Sequence, residues 1–282
     1  MLRALIKKIS RATATVRVPL TAPAAPTQPG VADPFNPYAA HQRNLSAEGW
    51  FNHASGELLT GFPVGPDDIV LDVGCGGGAH ASFCAARGAH VIFADIDPVK
   101  VADTEQRLKG SPARALQAIV TDANPLPLPD GLATRVVSTE VLEHVDDPAA
   151  FLRELVRVGQ SGAQYLLAVP DPGSEAIMKV LAHPSYFEAP NHIRVLSRDA
   201  FRELVSDAGL VIERTLSLGF FQTIWWAMYW CDHQDGLAPR HPALDKWAEA
   251  WNALLDSGNG DAVRRALDQA LPKNQVILAR KP

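Results

Sequence analysis

Ile69-Val70-Leu71-Asp72-Val73 is four apolar residues around one carboxylate, and it runs straight into Gly74-Cys75-Gly76-Gly77-Gly78 and then the alanine-rich segment Ala79–Arg87. A strand apolar on both of its faces but for one residue is buried on both, which requires a sheet covered by helices on both sides. Glycines after it permit positive φ and let the backbone approach a ligand closely. The helix start behind them offers free N–H groups to an anionic or polar ligand. A tight structural turn would also account for such a loop, so its surroundings must decide.

Those surroundings repeat the pattern. Apolar, β-rich runs recur at Ile69–Val73, Val91–Ala94, Leu116–Val120, Arg135–Ser138 and Tyr165–Val169, with helical stretches at Ala79–Arg87, Val99–Lys109 and Ala149–Val158 between them. Strands alternating with helices predict βαβ units and a doubly wound α/β fold on a parallel sheet. A further helix is expected over Arg198–Ala208, with Ser197 as N-cap and Gly209 at its end. Strands over Leu210–Thr215 and Gln275–Ala279 follow.

The chain outside this core is of three kinds. Residues 1–32 hold five basic residues and no acid, and Thr21–Gly30 carries three prolines. Residues 1–32 read as a disordered basic tail and linker, with a membrane-surface anchor or an organelle-targeting helix as the sharper alternatives. Residues 33–66 are expected to form a helical lid, with a helix around Ser46–Thr60 closing over the cofactor. Residues 219–272 form an insertion before the last strand, and five of the six tryptophans lie between Trp225 and Trp251. The spacing of Phe221, Trp225 and Tyr229, and of Trp247 and Trp251, predicts two amphipathic helices. They either pack on the sheet and each other or wall an apolar acceptor pocket with Trp225, Trp226 and Tyr229; a membrane-facing patch is the third option.

Charge and cysteine usage narrow the partners. With 26 basic against 31 acidic residues the chain is acidic overall, which disfavours a nucleic-acid substrate. Three cysteines without a C-x-x-C pair argue against a disulfide framework or a zinc knuckle. No apolar run reaches the ~18 residues of a membrane span. The expectation is a cytoplasmic protein acting on a small molecule, with weak membrane contact through the basic N-terminus as an added option; the sequence leaves the oligomeric state open.

Two ligands compete for the loop. Gly74, Gly76 and Ala79 satisfy a relaxed dinucleotide fingerprint, so an NAD(P)-dependent oxidoreductase is one reading. Asp95 ends the second strand 21 residues after Gly74, where a carboxylate accepts both ribose hydroxyls. Asp122 places a further acceptor after the third strand. Asp72, however, would put a carboxylate near a pyrophosphate, an unfavourable arrangement that becomes favourable beside a cation. S-adenosylmethionine carries a sulfonium and an ammonium and no phosphate, so charge favours it.

Val70–Gly78, Asp95, Asp122 and Ser138-Thr139-Glu140-Val141-Leu142-Glu143-His144-Val145 together resemble the class I S-adenosylmethionine-dependent methyltransferases, most of all the branch of the ubiquinone-biosynthesis O-methyltransferases. Val276–Lys281 is similar to the closing antiparallel strand of that fold. The resemblance covers Asp67 to about Leu218 plus residues 273–282, and implies a seven-stranded, mostly parallel sheet whose last strand is antiparallel. It implies that Asp72 and the loop (Gly74, Cys75, Gly76, Gly78) cradle the methionine part, that Asp95 binds the ribose and that Asp122 lies near the adenine. Ile96, Ala123 and Glu140 complete the candidate cofactor set.

Methyl transfer from a sulfonium needs an aligned nucleophile and, for a hydroxyl acceptor, removal of its proton. Glu143, His144 and His192 are the candidate catalytic residues. His144 or His192 could act as general base. Glu140, Glu143, His144 and His192 could instead bind Mg2+ or Mn2+, a ligand set similar to that of the small-RNA 2′-O-methyltransferases. A structural role, capping the next helix, is the third reading. The expected reaction is transfer to a hydroxyl of a small aromatic, quinol-like or sugar-type acceptor; an oxidoreductase and a non-catalytic S-adenosylmethionine-binding protein are the rivals.

Overall fold

The computed structural model describes residues 37–232 and 241–282. The readings of the basic tail and linker, and of residues 33–36 of the lid, lie outside the described residues. Helix α1 (Pro37–Glu48) is followed by a small sheet of β1 (Trp50–Asn52), β2 (Glu57–Leu59) and β3 (Phe62–Pro63), not by the expected helix through Thr60. The helix stops because Gly49 turns to φ 94, where a Cβ would lie 2.3 Å from Thr60 Oγ1. Trp50, Leu58, Leu59, Phe62 and Val64 are buried against Val70, Val91 and Phe93, so this segment is a packed layer on the sheet.

The main sheet comprises β4 (Ile69–Val73), β5 (His90–Asp95), β6 (Ala115–Val120), β7 (Ala133–Thr139), β8 (Gly159–Pro170), β9 (Val211–Leu218) and β10 (Asn274–Arg280). Their spatial order is β6-β5-β4-β7-β8-β10-β9, and β10 runs antiparallel to both neighbours. An all-parallel dinucleotide sheet has no such strand. Alternation along β4 and β5 sends Leu71, Val73, Ile92 and Ala94 into one core and Val70, Val91 and Phe93 into the other.

Helices α2 (Ala79–Ala86), α3 (Pro98–Leu108), α4 (Pro148–Val158), α5 (Pro172–Leu181) and α6 (Arg198–Asp207) flank the sheet. Three of them start on an Asp-Pro step. Asp97, Asp147 and Asp171 each accept a main-chain N–H two or three residues on, at 2.9 Å, and proline follows at the first helical position. Helix α5, which sequence periodicity did not flag, carries this same start signal. Ser197 caps α6 by accepting from Ala200 N at 3.1 Å, and Gly209 leaves the helix at φ 90, both as expected.

The described part of the insertion is helical, as α7 (Phe220–Asp232), α8 (Pro242–Asp256) and α9 (Gly260–Ala270). Its aromatics divide between two clusters. Phe221 and Trp251 are buried with Phe220, Trp225 and Trp247 against Ala40 of α1. Trp226, Tyr229 and Trp230 pack on Met178 of α5 and on Tyr186. Among the described residues no helix is long and apolar enough to cross a membrane.

Candidate active site

The carboxyl edge of the sheet collects the loops after β4, β5, β6 and β7. Gly74, Gly76 and Gly78 adopt φ of 78, 49 and 74, and Gly74 N and Cys75 N both donate to Ala94 O, at 2.8 and 3.0 Å. These glycines are needed for different reasons. A Cβ on Gly74 would strike Val141 Cγ2 at 2.2 Å and one on Gly78 would strike Thr104 Oγ1 at 2.7 Å, so both serve close packing. A Cβ on Gly77 would meet nothing within 4 Å, so that position faces open space. Gly78, the N-cap of α2, makes no side-chain cap, and of the first-turn N–H groups Ala81 N is taken by the Asp72 carboxyl beneath the loop.

Asp95 is held by the backbone it faces. Its Oδ2 accepts from Gly76 N and its Oδ1 from Asp97 N, each at 3.0 Å. Ile96, next in sequence, is 71% exposed, an apolar side chain laid open beside a carboxylate. Asp122 accepts from Asn124 N at 3.0 Å, and Ala123 is buried at φ 59. Cys75 is buried, and burial pushes its thiol up to about 12, so it acts through its backbone. Asp72 is buried with Oδ2 unpartnered, and burial pushes its carboxyl up to about 7. An unsatisfied buried carboxylate is costly and suits a cationic group nearby. The uncapped start of α2, open space at Gly77, the Asp95 carboxylate and exposed Ile96 fit S-adenosylmethionine.

Past β7 the chain makes a tight turn in which Glu140 takes φ 55 and His144 N donates to Val141 O at 2.9 Å. This turn, with Asn191–Arg194, brings Glu143, His144 and His192 together, each offering one ligand atom within 4.8 Å of the others. The imidazoles are oriented from outside the cluster. His144 Nδ1 donates to Pro190 O at 3.0 Å, and His192 Nδ1 donates to Glu175 Oε2 at 2.9 Å. In both rings the hydrogen bond is made by Nδ1, which leaves Nε2 as the second ring nitrogen. Burial lowers the pKa of His144, with His192 adding to the effect, so the ring is neutral near pH 7.

Glu143 is 1% exposed, neither of its oxygens has a hydrogen-bond partner among the described residues, and His144 Nε2 stands 3.7 Å from Oε1. Burial, reinforced by Glu140, holds its carboxyl well above the usual range. Two imidazoles and one carboxylate form an N/N/O donor set suited to a divalent cation. Glu140 lies outside it, correcting the four-residue expectation. Its carboxylate binds Lys273 Nζ at 3.1 Å and hydrogen-bonds Asn274, both at the start of β10. The positive φ after β7 turns it toward the closing strand.

Three residues that sequence reasoning missed build the surrounding shell. Glu175 sits in the first turn of α5, and Tyr186 OH donates to its Oε1 at 3.1 Å. Burial opposes the charge on Glu175, but His192 and Lys273 hold its pKa below the ordinary value. Lys273 is buried; Glu140 and Glu175 outweigh its desolvation and raise its pKa. The Asp171-Pro172 start could have indicated α5 and hence Glu175. Nothing local marks Tyr186 or Lys273.

Of the expected pocket residues, Trp225 stacks toward Phe221 at 5.9 Å inside the α1–α8 cluster, while Trp226 and Tyr229 lie beside Trp230. Trp230 carries the insertion to the site. Its ring meets Tyr186 at 6.0 Å, and Tyr186 meets His192 at 4.3 Å.

Residues 71–167 match the family model described as Methyltransferase domain. The chain is 32% identical over 147 residues to a protein of Mycobacterium tuberculosis named probable S-adenosylmethionine-dependent methyltransferase, covering 50% of this chain and 48% of that one. It is 33% identical over 159 residues to the ubiquinone biosynthesis O-methyltransferase of Pseudomonas putida, covering 50% of this chain and 67% of that one. The chain thus spans about half the length of the first curated relatives it matches. Among solved structures, a geranyl diphosphate methyltransferase in complex with its methyl donor superposes with TM-score 0.58 at 18% identity, covering 91% of this chain and 93% of that one. A [4+2]-cyclase superposes with TM-score 0.54 at 20% identity, covering 86% and 81%. At these identities both share the fold alone, and the cyclase illustrates that one fold hosts different chemistries.

Proposed function

This chain belongs to the class I S-adenosylmethionine-dependent methyltransferases, and from that membership we propose that it moves the methyl group of S-adenosylmethionine to a hydroxyl of a small aromatic, quinol-like or sugar-type acceptor. The observation that carries this reading is the Glu143–His144–His192 cluster at the carboxyl edge of the sheet, next to the turn on which Glu140 and Val141 follow β7. S-adenosylmethionine supplies an activated methyl on a sulfonium, so the chain must orient an acceptor oxygen and deal with its proton. His144 presents a neutral imidazole for that purpose, held at Nδ1 by Pro190 O, and His192 stands beside it, held at Nδ1 by Glu175. Asp72 supplies negative charge beneath the loop, and Asp95 supplies acceptors for the ribose. The ubiquinone biosynthesis relative supports oxygen as the acceptor atom.

Glu143, His144 and His192 are further proposed to hold Mg2+ or Mn2+. The Glu143 carboxyl, buried without a hydrogen bond among the described residues, favours this over a base acting alone, because a buried carboxylate without donors is stabilised by a cation. A bound divalent ion lowers the pKa of an oxygen it contacts. The test is a labelled-methyl transfer screen over catechols, quinols, sugars and small acids, run with EDTA and with added Mg2+ or Mn2+. Transfer to a hydroxyl that EDTA stops and metal restores supports both statements. EDTA-insensitive transfer that is lost in His144→Ala returns the site to general-base chemistry.

A further inference from the structure

Helix α5 and the segment Phe187–Val195 enclose an open groove of about 430 Å3 that has His192 and Glu175 in its wall. Its apolar lining comes from Ala176, Phe187, Ile193 and Val195, and Val195 is 46% exposed. The polar members are already committed, since Glu175 accepts from both Tyr186 and His192. That leaves two cations. Arg194 donates only to the carbonyls of Leu142, Val145 and Asp146, and pairs with no carboxylate among the described residues. Lys179 is exposed, stands one helical turn beyond Glu175, and has no hydrogen bond or ion pair among the described residues.

An apolar trough with two positive charges at its margin and an oriented imidazole in its wall is complementary to an amphipathic anion. Four residues along a helix rise about 6 Å, close to the length of a substituted aromatic ring. Resting on the methyl-transfer reading, we propose that this groove receives the acceptor, and that the acceptor is a hydroxylated apolar acid. Its anion lies on Lys179, with Arg194 adding to the local potential, and its hydroxyl is directed to His192. Lys179 thereby acts as a specificity residue and takes no part in the transfer. The groove also accounts for the shell around His192, because the Tyr186–Glu175–His192 chain fixes the wall against which the acceptor packs.

A matched pair of fluorescent probes tests the groove: 8-anilinonaphthalene-1-sulfonate, and N-phenyl-1-naphthylamine, which has the same aromatic body without the sulfonate. With S-adenosylhomocysteine present, the sulfonate is expected to bind the wild-type chain at least ten-fold more tightly than the amine. Lys179→Glu should abolish the difference, whereas Lys179→Arg and the remote Lys246→Glu should keep it. In transfer assays, Lys179→Glu should raise KM for 3,4-dihydroxybenzoate at least ten-fold over its methyl ester with kcat unchanged. An acid-to-neutral ratio that is the same in wild type and Lys179→Glu overturns the proposal, as does transfer to neither compound. S-adenosylhomocysteine affinity, measured by calorimetry, separates the two levels: its retention alongside failed discrimination removes the groove alone, and its absence in wild type removes the methyltransferase reading beneath it.

Discussion

Asp95 uses one carboxylate twice, fastening the glycine loop through Gly76 N and its own turn through Asp97 N. Asp95→Ala should therefore weaken S-adenosylhomocysteine by about 3 kcal/mol or more, the loss of two hydrogen bonds to a charged group. Calorimetry that returns an unchanged affinity would remove Asp95 from the site. Glu143 behaves in the opposite sense. Its folded pKa is raised, so the stability it contributes is present at low pH and is lost as pH rises toward that folded value. Glu143→Gln should leave stability at pH 8 equal or higher in urea unfolding, yet abolish transfer. A clear loss of stability would mean that the carboxylate has a partner that matters for folding. Asp72, Asp95, Glu143, His144 and His192 were legible in the sequence because each sits on a strand end or next to a chemistry-bearing neighbour. Lys273 was not: it lies 133 residues from Glu140 and meets it only because β10 inserts beside β8. Lys273→Met should cost about 1–3 kcal/mol in urea unfolding, because the lysine is buried while Glu140 is partly exposed and solvent-screened, with Lys273→Arg milder.

At the level of elements, α1 is fastened to the insertion by a buried polar network. Asn44 accepts from Trp251 Nε1 at 2.7 Å and donates to Glu48, Glu48 accepts from Gly219 N at 3.1 Å, and Asp268 pairs with Arg264 at 2.7 Å. Burial and the nearby Asp268 push Glu48 up to about 8, so the cluster retains a proton near neutral pH. A raised carboxyl pKa gives stability that is full below the unfolded value and declines as pH rises toward 8. Glu48→Gln should flatten the fall in unfolding free energy between pH 5 and 7.5, worth about 3 kcal/mol on that shift. An unchanged pH slope would reject the assignment. The amphipathic spacing of Trp225 and of Trp247 and Trp251 was readable, but the side each helix faces was not. Trp251 is buried at 1% exposure among Phe220, Phe221 and Trp247, and Trp251→Ala should cost about 3–5 kcal/mol as a core truncation.

Taken whole, the molecule is a methyltransferase sheet with two additions packed on it, and its cofactor class separates cleanly from the dinucleotide alternative. At a hundred times its dissociation constant S-adenosylhomocysteine should stabilise the fold by about 2.7 kcal/mol, raising Tm by roughly 5–10 °C. NADH should leave Tm unchanged; the reverse result would overturn the cofactor. The sequence by itself determined the strand–loop–helix order, the glycine loop, the carboxylates at the strand ends and the E-x-x-E-H run after β7. All of these depend on periodicity, backbone conformation or charge within a few residues, which local physics resolves. Only the tertiary structure decided that residues 50–63 form a packed sheet layer, that Glu140 turns to Lys273 and out of the Glu143–His144–His192 group, and that α5 supplies Glu175 to His192. Those outcomes rest on desolvation and long-range pairing, energies that exist only once distant segments exclude water together.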